Sequence, residues 1–246
     1  MAKIVFGRNP VLEALKSEHA IDKVFLLHGQ RGAIIQKILS LAHERRISVQ
    51  LTDKLRLTQM TGTKNSQGVA AMIAEYRYSD ITEMLTLAND RVEPPLIALL
   101  DGIEDPHNLG AIIRSAECAG VHGIIIPQHR AVDLTETVAK TSAGALSHIA
   151  VAKVTNLIPV MEELRQAGLW IAGATNEAEK DLYHTDLSEP LGIVIGSEGR
   201  GIRRLVKEKC DFLIRIPMKG KISSLNASVA AAVVFFEVVR QRTFTS

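Results

Sequence analysis

Aromatic rings are scarce in this chain. One Trp, three Tyr and six Phe make up 4% of its 246 residues. Stacking of nucleobases on aromatic platforms is therefore a minor resource. Cysteine is scarcer still, with only Cys118 and Cys210. Both fall in apolar-periodic segments, and Cys118 reads as a core residue. Two such thiols exclude a disulfide framework, and without paired histidines they make no structural zinc site, so no metal is expected. No uninterrupted apolar run reaches the ~18 residues of a transmembrane helix. The opening MAKIVFGRNP lacks the apolar core of a secretory leader. The expected setting is a reducing cytoplasm, with no membrane partner.

Net charge is also low, at +2, and does not imply nucleic acid by itself. Its distribution says more. Residues 1–75 hold 11 Lys and Arg against 6 Asp and Glu, whereas the remainder holds 18 against 21. A basic front on a mildly acidic back suggests separate tasks, unless the imbalance is only solvated surface. The 46% apolar content allows a sizeable core, and the length suits one large domain or two small ones.

Residues 1–75 read as a compact α/β unit. VFLLH (24–28), ISVQL (47–51) and GVAAMIAE (68–75) have strand character, while 31–46 carries apolar residues at a helical period and DKLRLTQMTG forms a short helix ending at Gly62. Residues 76–95 are polar, weakly periodic and end in Pro94-Pro95, which suits a linker. From Leu96 the apolar strands 96–102, 123–127, 149–154, 170–175, 191–198 and 212–218 alternate with helical patterns. That rhythm predicts a mainly parallel sheet covered on both faces.

Parallel sheets bind ligands beyond the carboxyl ends of their strands. Three loops there are unusual. In DGIEDPHNLGAIIRSAECAG (101–120), Asn108 is placed to cap the following helix and Arg114 lies nearly two turns later. A plain cap and a surface cation would explain both equally well. GSEGRGIRRL (196–205) sets glycines around Glu198, but it is neither a P-loop nor a dinucleotide fingerprint, and its acid would repel phosphate. In MKGKISSLNAS (218–228), Ser223, Ser224 and Asn226 can all cap the final helix. One cap suffices, so the surplus of polar side chains points to a binding site. His107 has an imidazole suited to proton transfer, but its neighbours do not single it out.

Together the motifs DPHNLGAIIRSA, IGSEGRGI and IPMKGKISSLNASVAAAV resemble those of the SpoU (TrmH) family of RNA ribose 2′-O-methyltransferases, in the SPOUT superfamily. VFGRNPVLEALKS and SQGVAAMI resemble the front domain of its longer members, among which the chain is most similar to those that methylate a guanosine of 23S rRNA. Ser115 and Ala227 stand where Thr and Val are common in the family.

The resemblance implies an L30e/L7Ae-like RNA-binding domain at 1–75, a linker at 76–95 and a catalytic domain at 96–246 whose sheet carries a deep trefoil knot. It implies S-adenosyl-L-methionine as cofactor, held near Thr175, Gly196, Gly199, Ile216 and Leu225, and a homodimer formed through the knot and last helix. It makes Arg114 the catalytic arginine, with Asn108, Glu198, Ser224 and Asn226 orienting ribose, phosphate or the arginine itself. Arg8, Lys16, Arg45, Arg46 and Lys64 are candidate RNA contacts in the basic front unit. The implied partner is 23S rRNA or a large-subunit assembly intermediate. A tRNA methyltransferase and a non-catalytic assembly protein on the same fold are the alternatives.

Overall fold

The computed structural model describes residues 3–16, 21–73 and 78–244. The chain divides into two units, Met1–Arg77 and Tyr78–Ser246. In the first, β1 (Lys3–Phe6), α1 (Arg8–Lys16), β2 (Ile21–Leu27), α2 (Ala33–Glu44), β3 (Ser48–Thr52), α3 (Lys54–Thr61) and β4 (Val69–Ile73) form a mixed sheet of order β1-β4-β2-β3. Its core joins Val11 and Leu15 of α1 with Ile35, Ile38 and Ala42 of α2 and with Val24 and Val69 of the sheet. Asp53 caps α3 and Gly62 closes it at φ 67°, in the left-handed region that glycine enters at least cost. The strand expected at 68–75 is ordered from Val69 to Ile73, and residues 74–75 lie outside the described ones.

The expected linker at 76–95 contains a helix. Residues 76–77 lie outside the described ones, but Asp80 caps α4 (Ile81–Arg91), which buries Ile81, Met84 and Ala88. Three apolar contacts on one narrow stripe explain the weak periodicity. Met84 occupies the space a side chain at Gly123 would need: a Cβ there would lie 2.2 Å from its Sδ. The helix therefore belongs to the second unit. Pro94 and Pro95 then separate it from the first strand of the large sheet.

The second unit continues with β5 (Leu96–Asp101), α5 (Pro106–Cys118), β6 (Gly123–Pro127), α6 (Glu136–Thr141), β7 (Ala150–Val154), α7 (Leu157–Gln166), β8 (Trp170–Ala174), β9 (Lys180–Asp181), β10 (Leu191–Gly196), α8 (Arg204–Lys207), β11 (Phe212–Arg215) and α9 (Ala227–Phe244). Every pairing in its sheet is parallel, in the order β7-β6-β5-β10-β8-β11-β9. LIALLD in β5 and GIIIP in β6 are buried throughout, as a sheet covered on both faces requires. From β5 the chain winds outward through β6 and β7, then returns to build β8, β10 and β11 on the other side. That reversal is a topological switch point, where the loops leaving β5, β8, β10 and β11 share one edge.

Candidate functional site

Helix α5 begins earlier than the sequence suggests. Asp105 accepts from the His107 N–H at 3.0 Å and Pro106 takes the first turn. The cap is therefore Asp105. Asn108 lies inside the first turn, with its amide turned away from the helix ends. Gly110, next on this helix, lets it approach α6 closely: a Cβ would sit 1.9 Å from Thr141 Oγ1.

The amide of Asn108 joins residues 90 and 118 positions away. Its Nδ2 donates to Glu198 Oε1 at 3.0 Å, and its Oδ1 accepts from Asn226 Nδ2 at 3.0 Å. Asn226 Nδ2 also donates to Glu198 Oε1, and the backbone N–H of Ala227 reaches the same oxygen at 3.3 Å. Three donors thus converge on Oε1, while Oε2 takes no hydrogen bond among the described residues. The carboxylate lies at the start of α9, where the helix dipole favours negative charge.

Asn226 also caps α9. Its Oδ1 accepts from the N–H groups of Ser228 at 2.9 Å and Val229 at 3.3 Å. One residue therefore fills the cap, as sequence economy suggests, and Ser223 and Ser224 are left to face a cavity. That cavity, of about 310 Å³, lies between the loops leaving β8, β10 and β11. Thr175, Gly196, Gly199, Ile216 and Leu225 all line it, together with Glu198 and Ser224. Gly196 is required by the loop itself, since a Cβ would lie 2.2 Å from the carbonyl carbon of Gly201. The turn is closed by Gly201 N–H donating to Ser197 O at 2.8 Å. A second cavity, also about 310 Å³, opens against Gly102, Asp105 and Asn108 and shares Ser197, Glu198, Gly199, Arg200 and Ala227 with the first. Glu198 stands in the wall between the two.

Arg114 is not drawn into this network. It is exposed on α5, lines neither cavity, and makes no hydrogen bond or ion pair among the described residues. His107 is exposed too, and Cys118, expected in the core, ends α5 in solvent. The last turn of α5 presents Cys118 outward while Ala116 and Ala119 carry the packing. Cys210 is partly buried, and burial pushes its thiol up to about 12. No group of three or more metal-ligating side chains is found among the described residues, and no helix there is long and apolar enough to cross a membrane.

Two site residues are not apparent from sequence patterns. Asp101, at the end of β5, is fully buried and accepts from Arg203. A lone carboxylate closing the apolar run LIALL is the signal that could have found it.

The five cations singled out in the first unit do not gather at one place. Arg8 and Lys64 line one cavity there. Arg45 instead donates to Leu15 O at 2.8 Å, Lys16 pairs with Glu13 at 2.9 Å, and exposed Arg46 follows α2 at φ 56°.

Known proteins share both units. The SpoU rRNA Methylase family model matches residues 95–236, and a model for RNA 2′-O ribose methyltransferase substrate binding matches 4–79. YacO of Bacillus subtilis, assigned to the TrmH family of tRNA/rRNA methyltransferases, is 46% identical over 97% of this chain and 95% of its own. The crystal structure of the SpoU methyltransferase AviRb from Streptomyces viridochromogenes, in complex with AdoMet, aligns with a TM-score of 0.62 and 27% identity over 97% of this chain and 90% of that one. The crystal structure of an RNA 2′-O ribose methyltransferase aligns with a TM-score of 0.58 and 26% identity over 97% of this chain and 88% of that one. The chain belongs to the SpoU/TrmH family of S-adenosylmethionine-dependent RNA 2′-O-ribose methyltransferases.

Proposed function

We propose that this chain methylates the 2′-hydroxyl of a guanosine ribose in 23S rRNA, using the cavity between the β8, β10 and β11 loops for the cofactor and the cavity beside Asn108 for the ribose. The observation that carries the reading is Glu198, whose carboxylate stands between the two spaces with one oxygen uncommitted. The first cavity suits S-adenosylmethionine in its donor set: Ile195, Ile216 and Leu225 offer apolar walls, and Thr175 and the loop backbone offer polar partners. When bound, the cofactor supplies a methyl group already activated on a sulfonium.

The chain's own task is then alignment and handling of one proton. Holding two reactants in line can supply ~7–11 kcal/mol of a barrier. Asn108 and Asn226 fix Glu198 Oε1, which leaves Oε2 to accept from the ribose hydroxyl and orient its oxygen. Ser224 positions the sugar and its phosphate. Arg114, whose side chain has no acceptor among the described residues, offers its planar guanidinium to an anionic group. It holds the 3′ phosphate and stabilises the oxygen as its proton leaves to solvent.

The front unit supplies the grip on RNA, and its similarity to the longer members through VFGRNPVLEALKS and SQGVAAMI favours rRNA over tRNA. The second partner is another copy of this chain. Helix α9 leaves Val229, Phe236 and Phe244 exposed at 47%, 48% and 75%, an apolar face suited to a dimer through the last helix.

Transfer of labelled methyl from S-adenosylmethionine to unmodified 23S rRNA and to tRNA, by wild type and Arg114→Ala, tests the reading. Ribose labelling of the rRNA that Arg114→Ala abolishes is expected. Labelling of tRNA alone would replace the substrate, and absence of cofactor binding would overturn the activity.

A further inference from the structure

A cavity of about 530 Å³ in the first unit lies far along the sequence from the methyl-transfer motifs. Its volume falls in the range of ~300–1,000 Å³ typical of ligand sites. Arg8, Lys54 and Lys64 line it, and no carboxylate does among the described residues. Lys54 and Lys64 are exposed and have no ion pair among the described residues. Their charge is therefore directed at solvent or a ligand.

Arg8 is held in place by neutral partners. Its Nη2 donates to Gln30 Oε1 at 2.6 Å, its Nε to Gln67 O at 3.4 Å, and its backbone N–H to Gln67 Oε1 at 2.9 Å. An arginine fixed by amides presents its planar face in one orientation. Gln67 adopts φ 53° and Gly68 φ 77°, two successive left-handed residues. A side chain enters this conformation only at a cost in backbone strain. The turn brings Gly68 against Gln30, where a Cβ would lie 2.6 Å from the Gln30 amide carbon. Backbone strain is thus spent on arranging two glutamines around one guanidinium, at a wall completed by Leu27 and Leu57.

We propose that this cavity receives one unpaired nucleotide of the substrate RNA, an inference that rests on the RNA-modifying reading above. The chemistry fits each part of a nucleotide. Lys54 and Lys64 meet the flanking phosphates. Leu27 and Leu57 face the base, and the Arg8 plane takes the stacking role that aromatic-poor sequence leaves unfilled. Gln30 and Gln67 carry both donors and acceptors, which a base edge needs and a bare phosphate does not. Base-paired RNA cannot present its edge in this way, so the pocket selects loops and bulges over duplex.

Binding of the full chain to fluorescent RNA tests this without methyl transfer. The probes are a hairpin with an unpaired loop, the fully paired duplex of the same length, and a mixture of free nucleoside monophosphates as competitor. Wild type is expected to bind the hairpin at least about tenfold more tightly than the duplex. Lys54→Ala/Lys64→Ala changes two exposed side chains that make no hydrogen bond or ion pair among the described residues. It should lower hairpin affinity about tenfold and flatten the salt dependence by about 0.7 per lysine removed. Gln30→Ala should lose hairpin preference while retaining duplex binding. Equal binding of hairpin and duplex by wild type, or unchanged hairpin binding by these variants, overturns the proposal. So does displacement of the hairpin by micromolar mononucleotide, which would make the cavity a small-molecule site. Cofactor binding by the same variants separates the two failures. Intact cofactor binding with unchanged RNA preference removes only the pocket, whereas hairpin selectivity in a chain that binds no cofactor removes only the methyltransferase.

Discussion

Asp101 and Arg203, 102 residues apart, form an ion pair in which the Asp101 carboxylate is fully buried and accepts twice: from Arg203 N–H at 2.7 Å and from Nε at 2.6 Å. The pair fastens the exit of the Gly196–Gly201 turn to the end of β5. The turn has a second anchor in Glu198, whose carboxylate accepts from Asn108, Asn226 and the Ala227 N–H. Asp101→Asn keeps the volume but turns one of the two accepting oxygens into an NH2 donor, so it loses one charge-assisted bond and weakens the other, at a cost of at least about 1.5–3 kcal/mol. Arg203→Ala should cost more, since it strands a buried charge with one backbone donor. Both variants should also lose cofactor affinity. Urea denaturation and calorimetric titration with S-adenosylmethionine check this, and unchanged cofactor affinity in a destabilised Asp101→Asn would confine the pair to a structural role.

Asn108, Glu198 and Asn226 behave as one unit in the structure, so their substitutions should not add. Removing Asn226 takes away the α9 cap as well as a donor to Glu198, which predicts a stability loss of about 0.5–2 kcal/mol from the cap alone. Asn108→Ala leaves the cap intact and should affect methyl transfer far more than stability. A double-mutant cycle of Asn108→Ala and Glu198→Gln, scored by methyl transfer, is expected to show a coupling of about 0.5–3 kcal/mol. Strict additivity would mean the hydrogen-bonded triangle does not operate as a unit.

Much of this site is legible in the sequence for a simple reason. Its residues occupy loops after buried strands, and polar residues beyond a cap's needs stand out there. The loops at 196–201 and 223–225 line one cavity. What the sequence hides is anything set by long-range register. Asn108 looks like a cap because Asp105-Pro106 resembles a turn, yet the helix starts at Pro106 and the amide bonds across to Glu198. Helix α4 is obscured because three buried residues in eleven make a weak period. Cys118 reads as core because its neighbours at 116 and 119 are. The basic residues of the first unit differ only in where the fold puts them, and no spacing rule separates Arg8 and Lys64 from Lys16.

The two thiols should react at very different rates. Cys118 is exposed, whereas Cys210 donates to Val206 O at 3.5 Å and is held up to about 12 by burial, with the Asp211 charge adding to the effect. At pH 8 the native chain should show one fast thiol with a chromogenic disulfide reagent and a second only on unfolding. Cys118→Ser should abolish the fast phase at little cost to stability, as expected for an exposed position. Two equally fast thiols in the native chain would contradict the placement of Cys210.

Acid should destabilise the second unit through His122. The ring is 1% exposed, accepts from the Leu96 N–H at Nδ1 over 3.0 Å, and faces Glu93 from Nε2 at 3.1 Å. An Nδ1 that accepts cannot carry a proton, so the neutral tautomer with hydrogen on Nε2 is the one the fold selects. Burial is the larger influence and lowers the pKa below 6.5. The Glu93 carboxylate works against it, and Arg91 and Arg242 reinforce it. The sign follows directly. The unfolded chain binds this proton more readily than the folded one, so the contribution is complete above the unfolded pKa of about 6.5 and declines as pH falls below it. While the folded ring stays neutral, each further pH unit removes up to about 1.4 kcal/mol. Urea denaturation at pH 7.5, 6.0 and 5.0 should therefore show falling stability. In His122→Asn the amide oxygen can still accept from Leu96 but does not titrate, so this acid slope should be reduced. An identical slope in wild type and His122→Asn would assign the acid sensitivity to other groups.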